Sequence, residues 1–273
     1  MGRPVVARPT DAPPLVGDAR GHVPRPRPGI DPLVDPEDAS ARPLSPDELP
    51  HHVAIIMDGN RRWAREHRVD EFEGHAAGVT AIRLLLRHVA DRGIPVLSLY
   101  AFSRENWSRP DPEVMGLFAL LEQAVRDDTD RLRAEGVRVR LLGRLDELPE
   151  ETRRSIEGAL AATEGGGRLL LNVAFNYGGR TELVDAVRTL VARGVRPEEV
   201  DESAIAGALY TAGLPDPDLV IRTGGEQRLS NFLIWQSAYA EFYSCPTLWP
   251  DFGPEAFDAA LVEFASRARR FGR

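Results

Sequence analysis

Short apolar runs and helix-length amphipathic segments alternate along this chain from residue 51 onward. The run VAIIM at residues 53–57 is short and rich in β-branched residues, a composition typical of a strand buried on both faces. In the segment after it, Val79, Ile82 and Leu86 repeat at helical spacing. Because parallel strands are joined by crossover helices, this alternation predicts a single α/β domain with a central, mostly parallel sheet flanked by helices.

The same criteria predict the individual elements. Strands are expected over residues 53–57, 96–101, 137–142, 169–175 and 219–222, with a further strand-like run over 231–235. Helices are expected over residues 73–92, 112–135, 149–163, 182–193, 201–209 and 254–270, and another is expected to begin at Asn60. Ligands of such folds bind beyond the carboxyl ends of the strands, so candidate functional residues are sought there.

A proline-rich segment precedes these elements. Twelve of the 22 prolines lie between Pro4 and Pro50, and this segment has neither helical nor strand periodicity. We therefore expect residues 1–48 to form a disordered extension and residues 49–273 to form the catalytic domain.

The composition excludes several kinds of chemistry. All 34 basic residues are arginine, so lysine Schiff-base enzymes, Walker A nucleotide-binding proteins and protein kinases are excluded. A bound anion must instead be held by arginine, backbone N–H groups or a metal ion. The net charge of −8 argues against a nucleic acid partner.

Other features bear on location. The lone Cys245 permits no internal disulfide, which suits a reducing compartment. No stretch approaches 18 consecutive apolar residues, and the first residues lack the apolar core of a signal peptide. We therefore expect a cytoplasmic protein.

Four predicted strands are each followed by a cluster of polar residues and glycine. The clusters are DGNRRW at residues 58–63, FSRENWSR at 102–109, NYGGR at 176–180 and TGGEQRLS at 223–230. A single cluster of this kind would be an ordinary turn. Four at one edge of a parallel sheet favour a ligand site.

The first cluster has the features of an anion or metal site. Asp58 ends a buried strand, where a carboxylate needs a cation or hydrogen bonds, and Mg²⁺ is one candidate. Gly59 permits close backbone approach, and the N–H groups of a helix beginning at Asn60 could bind a phosphate. Arg61 and Arg62 add guanidinium donors. The alternative is a helix-capping aspartate followed by two solvated arginines.

The last cluster predicts a second anion site. Arg222 and Arg228 flank a Gly-Gly turn, and Ser230 lies two residues further on, a set that suits a diphosphate. Glu241 follows in an aromatic stretch, where it could be a metal ligand or the partner of an arginine. Two anion sites beside an apolar interior indicate two diphosphate substrates, at least one of them with a hydrocarbon body.

The blocks HVAIIMDGNRRWA, LYAFSRENWSRP, NVAFNYGGR and DLVIRTGGEQRLSNFLIWQSAYAE resemble the signature blocks of the cis-prenyltransferases, the undecaprenyl diphosphate synthase-like isoprenyl transferases. The resemblance runs from about residue 51 to residue 272. It implies a homodimer whose sheet and helices enclose a hydrophobic tunnel. The implied reaction is the Mg²⁺-assisted addition of isopentenyl diphosphate to an allylic diphosphate, each new double bond being cis.

The resemblance also implies roles for individual residues. Asp58 would be the essential acid near the allylic diphosphate and Mg²⁺, and Glu241 would help to place the metal. The proton lost in the condensation would lie near Asn60, Ser103 and Asn106. The allylic pocket would be lined by Gly59, Asn60, Arg61, Arg62, Trp63, His75, Phe102, Glu105, Trp107 and Arg109. Isopentenyl diphosphate would be held by Arg222, Arg228 and Ser230, and Arg270 and Gly272 would reach the neighbouring subunit's site.

The chain departs from the family pattern at two positions that matter for the allylic substrate. Glu71 stands where the family usually has an arginine, and Arg61 stands where many bacterial members have glycine. We expect Arg61 to compensate in part for the missing arginine.

Product length stays open at this point. Small Ala101, which by resemblance flanks the tunnel opposite bulky Leu169, favours medium or long chains and a lipid carrier for cell-wall synthesis. Contact with a membrane would then arise through the product. Glu71 and the similarity of residues 209–230 to short-chain actinobacterial members favour the alternative, a short-chain or irregular synthase of a terpenoid pathway.

One acidic run is expected to have no role in the site. Asp127, Asp128 and Asp130 lack the spacing of the aspartate-rich motif of trans-prenyltransferases, and we interpret them as a solvated helix face.

Overall fold

The computed structural model describes residues 44–267, and their core is a six-stranded parallel sheet. The strands are β1 (His52–Ile56), β2 (Val96–Ser103), β3 (Val137–Leu142), β4 (Leu169–Tyr177), β5 (Leu219–Arg222) and β6 (Glu241–Ser244). Their order across the sheet is β3-β4-β2-β1-β5-β6, and every neighbouring pair is parallel. The predicted α/β class with a parallel sheet is confirmed.

Helices cover both faces of the sheet, as crossover connections require. They are α1 (Asn60–His67), α2 (Glu71–Asp91), α3 (Asp111–Ala134), α4 (Glu150–Thr163), α5 (Gly179–Ala192), α6 (Glu202–Ala206) and α7 (Pro254–Ser266). A 3₁₀ turn over Arg104–Ser108 follows β2 directly.

The central strand β1 shows why the sequence folds in this way. All five of its residues are buried. Val53 and Ile55 join one apolar cluster, with α2 and α7, while Ala54 and Ile56 join another on the opposite face. A continuous apolar run is therefore needed, because both faces of this strand are covered.

The strand register brings three predicted site segments together. Ile56 at the end of β1 pairs with Tyr100 of β2 on one side and with Arg222 of β5 on the other. The segments that follow these three strands consequently meet at one edge of the sheet.

The prediction of a strand over residues 231–235 is wrong. These residues form turns, and positive φ angles at Asn231 (66°) and Leu233 (43°) are incompatible with an extended strand. The sixth strand is instead β6, which begins ten residues after the start of the predicted run and pairs with β5. Apolar composition alone misplaced this strand, since a buried turn also needs apolar side chains.

The chain ends differ in part from expectation. Within the segment expected to be disordered, Pro46–Glu48 forms a 3₁₀ turn, and Leu44 and Leu49 pack against the core. The rest of that segment lies outside the described residues, as do Arg270 and Gly272. Within residues 44–267, no helix has the length and apolar character needed to cross a membrane.

Candidate active site

Asp58 lies at the centre of the polar edge of the sheet, two residues beyond β1. Its Oδ2 accepts a hydrogen bond from Nη2 of Arg222 at 2.8 Å, and its Oδ1 lies 3.3 Å from Nη2 of Arg62. The side chain remains 30% exposed. The carboxylate is thus fixed by two guanidinium groups and still faces solvent.

Arg222, the last residue of β5, has a side chain only 5% exposed. Besides binding Asp58, its Nη1 donates to the carbonyl of Arg228 and to Oγ of Ser230, both at 2.6 Å. Its Nε has no hydrogen-bond partner. A buried cation with an unused donor is well suited to bind an anion.

The backbone conformation of the turn between Arg222 and Arg228 requires glycine. Gly224 has a φ of 78°, and a Cβ there would lie 2.2 Å from Nη2 of Arg62. The carbonyl of Gly224 accepts from Nη1 of Arg62 at 2.7 Å. The turn therefore orients Arg62 toward Asp58.

The segment after β2 supplies a second set of polar groups. Oδ1 of Asn106 accepts from the backbone N–H of Ser103 at 2.9 Å, which caps the 3₁₀ turn. Oε1 of Glu105 accepts from Nδ2 of Asn231 at 2.9 Å. This last contact ties the end of β2 to the loop after β5.

Asn60 and His75 lie where the polar edge meets the interior. Nδ2 of Asn60 is 3.4 Å from Nδ1 of His75, and Oδ1 of Asn60 is buried without a hydrogen-bond partner. Burial, assisted by the charge of Arg109, lowers the pKa of His75. The imidazole is therefore neutral at neutral pH.

A further carboxylate, Glu113 on α3, links three cationic or basic side chains. Its Oε1 is 2.7 Å from Nη1 of Arg109, 3.5 Å from Nε2 of His75 and 3.9 Å from Nε of Arg61. Nε of Arg61 also lies 2.8 Å from Oε1 of Glu71. Glu71 thus pairs with the arginine that we expected to compensate for it.

These groups surround a cleft of about 620 Å³. The predicted residues that line it are Asp58, Asn60, His75, Ser103, Glu105, Asn106, Arg109, Arg222, Arg228 and Ser230. The structure thus brings together residues from all three converging strand ends.

An apolar cavity of about 190 Å³ adjoins the cleft. It lies between the sheet and helices α2 and α3, and aliphatic side chains form most of its wall, among them Ile82, Leu86, Leu121 and Val173. Five residues line both spaces: Met57, Asn60, His75, Ala101 and Leu117. The cleft and the cavity therefore share a wall, polar at the sheet edge and apolar inside.

Several predicted pocket residues lie outside the cleft. Phe102 is buried in the core, where it stacks on Phe175. Nε1 of Trp63 donates to Asp251, and Nε1 of Trp107 donates to Asn176. Gly59, with a φ of 122°, packs against Leu248 and begins α1. These four residues therefore do not line the cleft, and the side chain of Arg61 is half exposed to solvent.

Glu241 is not brought to Asp58 within this chain. It is the first residue of β6 and pairs with Leu219 at the amino end of β5, whereas Asp58 lies near the carboxyl ends. Its Oε2 accepts from Nη1 of Arg267 at 2.9 Å. Within this chain Glu241 is therefore the partner of an arginine, and its expected role in placing the metal stays a prediction. Leu169 is likewise a core residue and does not line the cavity, whereas Ala101 does.

Sequence reasoning missed three residues of the site. Tyr100 and Asn231 line the cleft, and burial raises the pKa of Tyr100 so that it stays a neutral phenol. Glu113 is the third. It lies four residues after Arg109, which is the spacing of an ion pair on a helix. That spacing could have been recognised.

The geometry defines a class: an α/β protein with an arginine-rich cleft at the strand ends and an apolar cavity behind it. The undecaprenyl diphosphate synthase family model matches residues 56–272. Isoprenyl transferases from Heliobacterium mobile and Geobacter sulfurreducens are 48% and 44% identical to this chain. Those alignments cover 86% and 84% of this chain and 92% and 95% of the relatives.

A solved structure agrees with these sequence matches. It is lavandulyl diphosphate synthase from Lavandula x intermedia in complex with dimethylallyl diphosphate, with a TM-score of 0.81 and 36% identity. The match covers 83% of this chain and all of that one. The chain belongs to the undecaprenyl diphosphate synthase family of prenyltransferases.

Proposed function

We propose that this protein condenses isopentenyl diphosphate with an allylic diphosphate to form a cis-polyprenyl diphosphate. Prenyl products of medium or long chain length are favoured. They would serve as a lipid carrier for cell-wall synthesis in the cytoplasm, and the enzyme would contact a membrane through its product. One observation carries the proposal: a cleft that can bind diphosphate groups shares a wall with an apolar cavity that can hold hydrocarbon.

The cleft offers a place for each diphosphate. Arg222, Arg228 and Ser230 would hold isopentenyl diphosphate, and the unused Nε–H of Arg222 supports this role. The allylic diphosphate would bind on the other side of Asp58, at the N-terminus of α1 and near Arg62, His75 and Arg109. Its hydrocarbon would then enter the cavity past Ala101 and Leu117.

The residues at the cleft fit a magnesium ion that arrives with its substrate. Residues 44–267 contain no cluster of three or more histidine, cysteine, aspartate or glutamate side chains that could hold a metal. Mg²⁺ commonly uses one or two carboxylates, with substrate phosphates and water as its other ligands. Asp58 would be the protein ligand here, and the ion would stabilise negative charge on the departing diphosphate.

The chain's own residues would serve the other requirements of the reaction. The aliphatic wall of the cavity excludes water from the electron-poor allylic carbon. Asn60, Ser103 and Asn106 line the cleft and would lie near the proton that is lost from isopentenyl diphosphate. Neutral His75 next to Asn60 adds no positive charge beside that carbon.

A short-chain or irregular synthase of a terpenoid pathway is the second candidate. It is favoured by the similarity to lavandulyl diphosphate synthase and by the pairing of Arg61 with Glu71, which leaves less free positive charge for the allylic diphosphate.

The test is incubation with radiolabelled isopentenyl diphosphate, Mg²⁺ and a panel of allylic primers, followed by chain-length analysis. We expect products that extend the primer, none in the presence of EDTA, and a loss of about a thousandfold or more in kcat for Asp58→Asn. Asp251→Asn is the matched control, since Asp251 binds Trp63 outside the cleft. Near-normal turnover of Asp58→Asn would refute the assignment, and the product length decides between the two candidates.

A further inference from the structure

The apolar cavity has charged residues on its wall at a distance from the cleft. They are Arg83 on α2 and Asp128 and Arg131 on α3. Arg83 lies eight residues beyond His75, and Asp128 lies eleven beyond Leu117, both of which line the cleft. At 1.5 Å per helical residue, the charges are about 12 and 16 Å along the helices from the cleft.

These three side chains form one ion-paired cluster. Oδ2 of Asp128 accepts from Nε of Arg83 at 2.9 Å, and its Oδ1 accepts from Nη2 of Arg131 at 3.1 Å. The Asp128 side chain is only 14% exposed, unlike its neighbours Asp127 and Asp130. The prediction of a fully solvated acidic face is therefore wrong for Asp128.

The cluster joins the two helices that cover the cavity. Arg83 belongs to α2 and Asp128 to α3, so their ion pair bridges the two helices at this depth. Nearer the cleft, these two helices line the cavity with aliphatic side chains, namely Val79, Ile82, Leu117, Leu120 and Leu121.

We propose that the Arg83–Asp128–Arg131 cluster limits the length of the prenyl product. This inference rests on the proposed prenyl transfer, and because the cluster lies only about 12 to 16 Å along the helices from the cleft, it favours the short-chain candidate over the long-chain one. A growing hydrocarbon gains free energy as each isoprene unit is buried against aliphatic side chains. A unit that reaches the cluster must instead displace ion pairs and leave the charges without partners, because hydrocarbon offers no hydrogen bonds. Elongation beyond this point is disfavoured, and the product is released.

The test replaces the whole cluster by apolar side chains. Arg83→Met, Asp128→Leu and Arg131→Met together remove all three charges, because the loss of Asp128 alone would leave both arginines without their partner. With one primer at fixed concentration, we expect the fraction of product longer than the wild-type maximum to rise about tenfold, a change of about 1.4 kcal/mol. Total incorporation of labelled isopentenyl diphosphate is measured separately.

The chain offers a matched control in Arg87→Met with Glu135→Leu. This pair also joins α2 to the end of α3, where Glu135 is the C-cap, at 3.2 Å, but neither residue lines the cavity. We expect its product distribution to match that of the wild type. Equal lengthening in this control would overturn the proposal, since it would show that loosening the helices is sufficient.

The remaining outcomes are separable. A folded Arg83→Met/Asp128→Leu/Arg131→Met variant that makes products of unchanged or shorter length would overturn the inference while leaving the proposed function intact. No incorporation by the wild type with any primer would overturn both. If circular dichroism shows that the triple variant does not fold, Arg131→Met alone, which retains the Arg83–Asp128 pair, carries the test. It should lengthen the product by a smaller amount, and an unchanged length would then count against the cluster.

Discussion

The arginines at the cleft are each held by a carboxylate. Arg222 pairs with Asp58, Arg109 with Glu113, Arg61 with Glu71 and Arg228 with Glu226. A guanidinium group has five N–H donors, so one carboxylate orients it without using all of them. An incoming diphosphate therefore meets oriented donors, but it also meets the negative charge of their partners.

The effect of a carboxylate partner on an arginine at the cleft can be tested at Glu71. Glu71→Gln should release Arg61 toward the cleft and lower KM for the allylic diphosphate by about two- to fivefold, the range of an exposed ion pair. Glu73→Gln, on the same turn of α2, should leave KM unchanged. Steady-state kinetics with a fixed allylic primer measures both, and an unchanged KM for Glu71→Gln would show that Arg61 does not serve this substrate.

Gly78 controls the position of Asn60. A Cβ at residue 78 would lie 2.7 Å from Oδ1 of Asn60 and 3.0 Å from Cδ1 of Trp249. Gly78→Ala should displace the Asn60 amide and lower kcat by about ten- to a hundredfold, because small misplacements of reacting groups are costly. Gly158→Ala on α4, where no atom lies within 4 Å, should instead raise stability by about 0.5–1 kcal/mol with unchanged kcat.

At the level of elements, a buried polar row crosses three central strands. Nε2 of His52 on β1 is 2.7 Å from Oγ of Ser98 on β2, and Nδ2 of Asn172 on β4 donates to the same oxygen at 3.0 Å. Nδ1 of His52 lies 2.8 Å from the carbonyl of Pro215. The row specifies how these strands pair, since a shift in register would leave buried polar groups without partners.

The row also makes stability depend on pH. Burial lowers the pKa of His52 to about 4, against 6.5 in the unfolded chain. The unfolded state therefore binds the extra proton first as pH falls, so stability is fully present above pH 6.5 and is lost as pH falls toward 4. The loss should approach about 3 kcal/mol near pH 4.

Urea unfolding at several pH values measures this effect. For His52→Gln, the free energy of unfolding should not fall in this way between pH 6.5 and 4. For His51→Gln, a substitution of the exposed neighbouring residue, it should fall as in the wild type. If the free energy of unfolding falls with pH equally in the wild type and in His52→Gln, this pH dependence does not come from His52.

In the molecule as a whole, both edges of the sheet are open. β6 pairs only with β5 and β3 only with β4, and within residues 44–267 no strand pairs with the outer side of either. An open edge is commonly covered by another element or chain. This is consistent with the homodimer that the family resemblance implies, in which Arg270 and Gly272 would complete the neighbouring site.

Mixing two inactive variants tests the dimer. Asp58→Asn and Arg270→Ala subunits, each inactive alone, should regain roughly a quarter of wild-type activity when unfolded and refolded together, because half of the dimers would contain one intact site out of two. Light scattering measures the mass of each sample. No regained activity from folded dimers would show that Arg270 acts within its own subunit.

The fold class and most of the cleft follow from the amino-acid sequence alone. A strand buried on both faces must be apolar, and the carboxyl ends of parallel strands must meet, so Asp58, Ser103 and Arg222 could be assigned to one site before their contacts were known. The helical repeat likewise located the two helices over the cavity.

Which of these side chains face the cleft, and which charges are paired, depends on the packing of distant segments. Phe102 and Trp63 belong to the same blocks as cleft residues but contact Phe175 and Asp251, and Glu241 lies at the amino end of its strand. The sixth strand was misplaced because turns and strands share apolar composition when buried. Asp128 looked like a surface residue because its partner Arg83 is 45 residues away in sequence. Contacts between distant segments depend on packing, and local sequence patterns do not encode it.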